Sequence, residues 1–190
     1  MNEPPSHELW VVRHGATEWS RDHRHTSVTD LPLLPEGEEV ARGLAPRLAE
    51  VEFATVLTSP RLRARRTAEL AGFTDAEVDE DLAEWAYGDY EGITTEEIRR
   101  SVPGWTMWTH PAPGGESAAD VSRRLDRVVA RVRAVDGPVL AFAHGHSLRA
   151  LAARWLDLPV GDGRHFRLDT ATVSVLGYER ETPVILRWNS

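Results

Sequence analysis

The chain has 190 residues, 30 acidic against 22 basic, for a net charge of −8, and it contains no cysteine. A chain of this length buries a core without cross-links, and the missing thiols exclude cysteine nucleophiles, zinc–cysteine sites and disulfide frameworks. The acidic balance disfavours nucleic acid and anionic membrane surfaces as partners.

Met1 to Glu8 is short and polar with two prolines, and reads as neither signal peptide nor membrane anchor. No apolar run reaches the roughly 18 residues of a spanning helix, so a cytoplasmic protein is expected. With no repeat and no low-complexity linker, residues 1–190 are read as one domain. Leu9-Trp10-Val11-Val12 is continuously apolar, as a strand covered on both faces requires. Val40, Leu44, Leu48 and Val51 then recur at helical spacing, with Pro46 placed to kink or shorten that helix. Thr55-Val56-Leu57-Thr58 is a second strand. Arg61, Arg63, Arg65 and Arg66 follow; a helix spreads them around its circumference, leaving Arg63 to point inward. Glu84 to Thr109 fits neither period and is rich in Trp, Gly and acidic residues, as an active-site insertion is. Its Trp85, Trp105 and Trp108 are read either as core or as a substrate-facing lid. Val121, Leu125, Val128, Val132 and Val135 make a long apolar stripe, and Val139 to Ala143 a further strand. Leu148, Leu151, Ala152 and Trp155 line another helix. Thr172 to Tyr178 and Val184 to Trp188 close the chain as strands around Glu181-Thr182-Pro183. Strands alternating with helices predict an α/β fold with a largely parallel sheet.

Ligand sites in such sheets lie beyond the carboxyl ends of the strands. The first strand runs into Arg13-His14-Gly15, the second into Ser59-Pro60-Arg61-Leu62-Arg63, and the strand ending at Ala143 into His144-Gly145-His146. Two histidines and at least two arginines therefore leave the sheet at one edge. Glycine after each histidine allows a sharp turn that brings backbone N–H groups close to a ligand. Arginine forks match tetrahedral oxyanions, so this set describes a phosphate pocket. A neutral imidazole is a competent nucleophile toward phosphorus, and neighbouring arginines disfavour its protonation. A leaving alcohol needs an acid; Glu84, flanked by aromatics, is the candidate.

Arg13-His14-Gly15-Ala16-Thr17-Glu18-Trp19 resembles the Arg-His-Gly signature of the histidine phosphatase superfamily, which includes cofactor-dependent phosphoglycerate mutase. Thr29-Asp30-Leu31-Pro32-Leu33 with Gly37, Thr58-Ser59-Pro60 with Arg63, Ala64 and Thr67, and His144 to Arg149 occur in that family's order. The resemblance implies a three-layer αβα sandwich with a six-stranded, mostly parallel sheet and no metal or organic cofactor. It implies that His14 is phosphorylated, that Arg13, Arg63 and His144 hold the phosphoryl oxygens, and that Glu84 donates the proton. It also leaves a homodimer open.

Mutases of the family carry Glu-Arg-His-Tyr-Gly at the acid and Asn after the second His-Gly, whereas this chain has Glu84-Trp85-Ala86-Tyr87-Gly88 and His146. Phosphatase is therefore favoured over phosphoglycerate mutase-type transfer. Ser59 to Arg65, Glu84 to Gly92, Phe142 to Arg149 and Ser20 are similar to the sedoheptulose-1,7-bisphosphatase branch and to bacterial acid phosphatases. That likeness puts Thr26, Ser27, Tyr87, Ala171 and Thr172 on the sugar side of the pocket and favours a small phosphorylated metabolite, a sugar phosphate or bisphosphate. A non-catalytic phosphoprotein-binding module is the rival of another class; it is disfavoured because His14, Arg63, Glu84 and His144 are all present. The His144-x-His146 pair invites a metal, but no acidic residue accompanies it and none is expected to bind. His23, His25, His110 and His165 are read as surface, His25 least firmly, and Asp30 as the anchor of a turn.

Overall fold

A computed structural model describes residues 7–190; most of the polar leader expected at 1–8 lies outside the described residues. The strands are β1 (Leu9–Arg13), β2 (Thr55–Thr58), β3 (Glu77–Val78), β4 (Val139–Ala143), β5 (Val173–Glu179) and β6 (Thr182–Arg187). They form one six-stranded sheet in the order β3-β2-β4-β1-β5-β6. Pairings among β1 to β4 are parallel, and β5 is antiparallel to both its neighbours, so five of the six strands share one direction.

Alternation along each strand builds two cores. Leu9 and Val11 of β1 and Val139, Ala141 and Ala143 of β4 face one side. There they meet Val121, Leu125, Val128 and Val132 of helix α6 (Ala118–Arg133) and Leu148, Leu151 and Trp155 of helix α7 (Gly145–Trp155). Trp10 and Val12 with Leu140 and Phe142 face the other side, against Leu44, Leu48, Ala68 and Ala71. Each Val, Leu or Phe among them fully removed from water contributes about 1.5–3 kcal/mol, so both faces hold the sheet. The expected three-layer sandwich is the observed architecture.

The Val40 stripe needs correction. Helix α2 (Pro35–Gly43) ends before a separate helix α3 (Ala45–Leu48), with Pro46 in the first turn of α3. The break changes the phase, and Val40 stands in solvent while Ala41, Leu44 and Leu48 are buried. The closing hairpin turns at Arg180 and Glu181, one step ahead of the expected turn, with Arg180 in the left-handed region at φ 57°. Within 84–109, helix α5 (Thr95–Ser101) forms behind a capping box of Thr94 and Glu97. No helix among the described residues is long and apolar enough to cross a membrane.

Candidate active site

Three neighbouring strands deliver the site. Arg13 of β1 lies beside Ala143 of β4, and the His14 amide donates to the Ala143 carbonyl at 3.0 Å. The Ser59 amide donates to Phe142 at 2.9 Å, so Ser59, His144 and His14 leave the sheet side by side. The rings of His14 and His144 stand 5.3 Å apart, edge to face. Helix α4 (Leu62–Leu70) carries Arg63, which is fully buried, while Arg65 is exposed and Arg66 pairs with Glu38 and Glu69. Asp30 accepts from the Leu62 amide at 2.7 Å and anchors the start of that helix.

His14 is oriented by its own turn. Its Nδ1 lies 2.8 Å from the Gly15 carbonyl, which can only accept, so Nδ1 carries the proton and Nε2 keeps its lone pair. Burial, with Arg63 and Arg13 adding to it, pushes the His14 imidazole well below its usual range and keeps it neutral. His144 is lowered in the same way, by burial first and then by Arg63. Ser59 Oγ stands 2.6 Å from His144 Nε2 and accepts from the Arg61 amide at 3.3 Å. Its hydroxyl can give its proton to Nε2, the arrangement that leaves the imidazole N–H on Nδ1. Three buried nitrogens in this group have no protein partner: Arg13 Nε, Arg63 Nε and His144 Nδ1.

The glycines act differently from expectation. A Cβ on Gly15 would sit 2.6 Å from the Gly37 carbonyl oxygen, so the first glycine admits the start of α2; its amide goes to Thr67 at 3.0 Å. A Cβ on Gly145 would stand 3.3 Å from the Arg13 guanidinium carbon. The second glycine therefore makes room for an arginine.

Glu84 is buried at the N-terminus of α7. Its carboxyl accepts from the amides of Ser147 at 2.7 Å, Trp85 at 2.9 Å and His146 at 3.0 Å, which fixes where it points. Glu84 lines a cavity of about 240 Å³ together with Arg13, His14, Thr26, Tyr87, His146 and Arg149. Of the expected sugar-side residues, Thr26 and Tyr87 line it; Ser27, Ala171 and Thr172 do not. The Ser27 hydroxyl binds Glu91, the Ala171 amide supports the Arg13 and His14 carbonyls, and Thr172 Oγ1 bonds Asp169 and Asn189.

The sequence reading missed Arg149, Arg24 and Thr95 as lining, and Leu168, whose carbonyl takes the Arg13 Nη1 at 2.7 Å. His25 and His23 also line the cavity. His25 stacks near Tyr87 at 4.7 Å, and burial lowers it to about 4. His146 shares a 2.7 Å hydrogen bond with the Tyr87 hydroxyl and is likewise lowered by burial. Trp85 and Trp105 are core, and Trp108 packs behind His146 at 5.0 Å. None of the three lines the cavity, so the lid reading gives way to core. Among the described residues no group of three His, Cys, Asp or Glu is arranged to hold a metal.

Residues 9–190 match the model of the histidine phosphatase superfamily, branch 1. The chain belongs to that family. It is 43% identical over 178 residues to an acid phosphatase of Mycobacterium tuberculosis, covering 92% of this chain and 88% of the relative. It is 39% identical to sedoheptulose 1,7-bisphosphatase of Saccharomyces cerevisiae, covering 79% of this chain and 68% of that one. A solved structure of an open reading frame product from M. tuberculosis superposes with a TM-score of 0.92 at 41% identity, covering 96% of this chain and 97% of its own. The histidine phosphatase described here is accordingly an enzyme that hydrolyses phosphate monoesters.

Proposed function

We propose that residues 1–190 act as one histidine phosphatase domain in which His14 takes the phosphoryl group of a sugar phosphate, with a sugar bisphosphate preferred. The observation that carries this reading is the set of buried, unpartnered donors around the neutral His14: Arg13 Nε, Arg63 Nε and His144 Nδ1. Buried donors without partners are costly, and a phosphoryl group supplies the three acceptors that they need.

The chemistry runs in two displacements. The Nε2 lone pair of His14 attacks phosphorus, the ester P–O bond breaks, and its electron pair goes to the leaving oxygen, which takes a proton from Glu84. Charge spreading over the equatorial oxygens is met by donors already in place, which is most of the catalysis in phosphoryl transfer. Glu84 then takes a proton from water as the water oxygen attacks phosphorus; the P–N bond breaks and its pair returns to His14. No step needs a metal.

The substrate preference rests on the far wall. Arg149 lines the cavity with its guanidinium 4.7 Å above the Trp108 ring and its Nε and Nη2 donating to the Gly163 and Arg164 carbonyls. Neither it nor Arg24, also in the lining, pairs with a carboxylate among the described residues. Two unneutralised cations across a small cavity from the first phosphate suit a second anionic group. The relative named for a sugar bisphosphate supports this reading.

Phosphate release should be measured on paired sugar monophosphates and bisphosphates, with wild type and Arg149→Ala. Bisphosphates should show the higher kcat/KM, and the variant should lose about 10-fold or more on them while changing little on monophosphates. Equal rates on both classes with no effect of the variant would remove the second anion. No phosphate release from p-nitrophenyl phosphate between about pH 5 and 8 would remove the enzyme itself.

A further inference from the structure

The fully buried Arg63 has no carboxylate within pairing distance among the described residues. Its fork is held by carbonyls of one loop: Nη1 donates to Thr29 at 3.1 Å, and Nη2 to Thr26 at 3.0 Å and Ser27 at 3.3 Å. Carbonyls can orient a guanidinium only if they are themselves fixed.

The donor side of that loop converges on Glu91. The Ser27 amide reaches both carboxylate oxygens at 2.8 and 3.0 Å, the Ser27 hydroxyl donates at 2.5 Å, and the Thr29 amide at 3.1 Å. The Thr26 carbonyl and the Ser27 amide belong to one peptide group. Glu91 and Arg63 therefore grip opposite ends of the same dipole, an anion at its N–H and a cation at its C=O. Glu91 is in turn tied to the loop from the next residue, where Gly92 donates to His25 and accepts from Arg24, both at 2.8 Å.

We propose that Glu91 is the positioning residue of the phosphate clamp, setting through the Thr26–Ser27 peptide group the direction in which Arg63 faces the substrate. This rests on the reading of Arg63 as a holder of phosphoryl oxygens. Glu91 touches neither substrate nor the reacting atoms; it acts through the loop. Gln at this position keeps one acceptor but turns an amide NH₂ toward the loop's donors, and Ala at 27 keeps both Ser27 backbone groups while removing the hydroxyl that joins Glu91 to the Tyr87 amide.

The test is a cycle of Glu91→Gln, Ser27→Ala and Arg63→Lys, singly and combined with Arg63→Lys, read by kcat, KM and vanadate inhibition on a phosphate monoester. Lysine keeps the charge but not the fork, so residual activity stays measurable. Glu91→Gln should lower kcat/KM about 10- to 100-fold and weaken vanadate inhibition in parallel, with Ser27→Ala moving the same way by about 3- to 10-fold. In the Arg63→Lys background either change should add less than about 3-fold, because the fork that it would misplace is gone. Wild-type kinetics in folded Glu91→Gln, or a full multiplicative loss on top of Arg63→Lys, would overturn the proposal. If Glu91→Gln does not fold, the Ser27→Ala cycle decides by the same criterion. Wild-type kinetics for Arg63→Lys itself would instead remove the underlying reading of Arg63, a result separable from a failure of Glu91 alone.

Discussion

The floor and the wall of the cavity are built on different principles. The floor (Arg13 and His14, which line the cavity, with the fully buried Arg63 and His144, which do not) stands on the ends of β1 and β4 and on α4, where neighbouring strands fix one another by the register of the sheet. The wall is irregular backbone, 23–29 and 84–92, held by side chains gripping peptide groups, with Arg149 and His146 added from α7. The proposed reaction puts chemistry on the rigid part and selectivity on the part whose geometry depends on a few polar contacts. The wall can therefore change its substrate without disturbing the nucleophile.

The largest effect should come from the floor. His14→Ala removes the imidazole whose Nε2 is left without a proton by the Nδ1 contact to Gly15, and kcat should fall by about 10⁴-fold or more. The variant should stay folded, since both apolar cores are built by other residues, and its melting curve checks that the loss is one of chemistry. Substantial residual turnover in a folded variant would move the nucleophile elsewhere and break the division into floor and wall.

Glu84 straddles that division: it comes from the irregular stretch, yet the first turn of α7 fixes it. As the proposed proton donor it would matter in proportion to the basicity of the leaving group. Glu84→Gln should cost about 10²- to 10⁴-fold on an alkyl phosphate and far less on p-nitrophenyl phosphate, whose leaving group needs little protonation. Equal losses on the two would reassign Glu84 to the wall as a fixer of the α7 start.

The floor was legible in the sequence, and the wall mostly was not. Continuous apolar runs mark buried parallel strands, and placing ligands beyond their carboxyl ends brings Arg13, His14 and His144 together before any coordinates exist. Arg63 followed from helical geometry. The roles of Gly15 and Gly145 did not, because what a missing Cβ accommodates depends on a partner distant in sequence: Gly37 for one, Arg13 for the other. The tryptophans of the irregular stretch gave no period from which to read burial, and Trp85 and Trp105 proved to be core. Ser27, assigned to the sugar, serves Glu91 instead, and Glu91 itself sat in a Gly-rich stretch with nothing in its spacing to mark it. Arg149 closed the His144-to-Arg149 motif, whose order gave it no role of its own.

The smallest effect separates floor from wall by acid lability. Burial holds His25 of the wall at about 4 and pushes His146 of the wall and His14 and His144 of the floor well below the usual imidazole range. As pH falls below about 6.5 the unfolded chain takes up protons that these native rings refuse, so their contribution to stability is complete above that pH. It declines as pH falls toward each native value, by at most about 1.4 kcal/mol per pH unit for each ring. The melting temperature should therefore drop between about pH 6.5 and 4. His25→Gln should remove only the share of that slope that ends near 4, at the cost of its contacts with Tyr87 and Trp105 at every pH. A flattened slope would make the wall the first part to yield to acid. An unchanged slope would assign the lability to the floor, where protonating His14 would remove the proposed nucleophile and weaken the fold together.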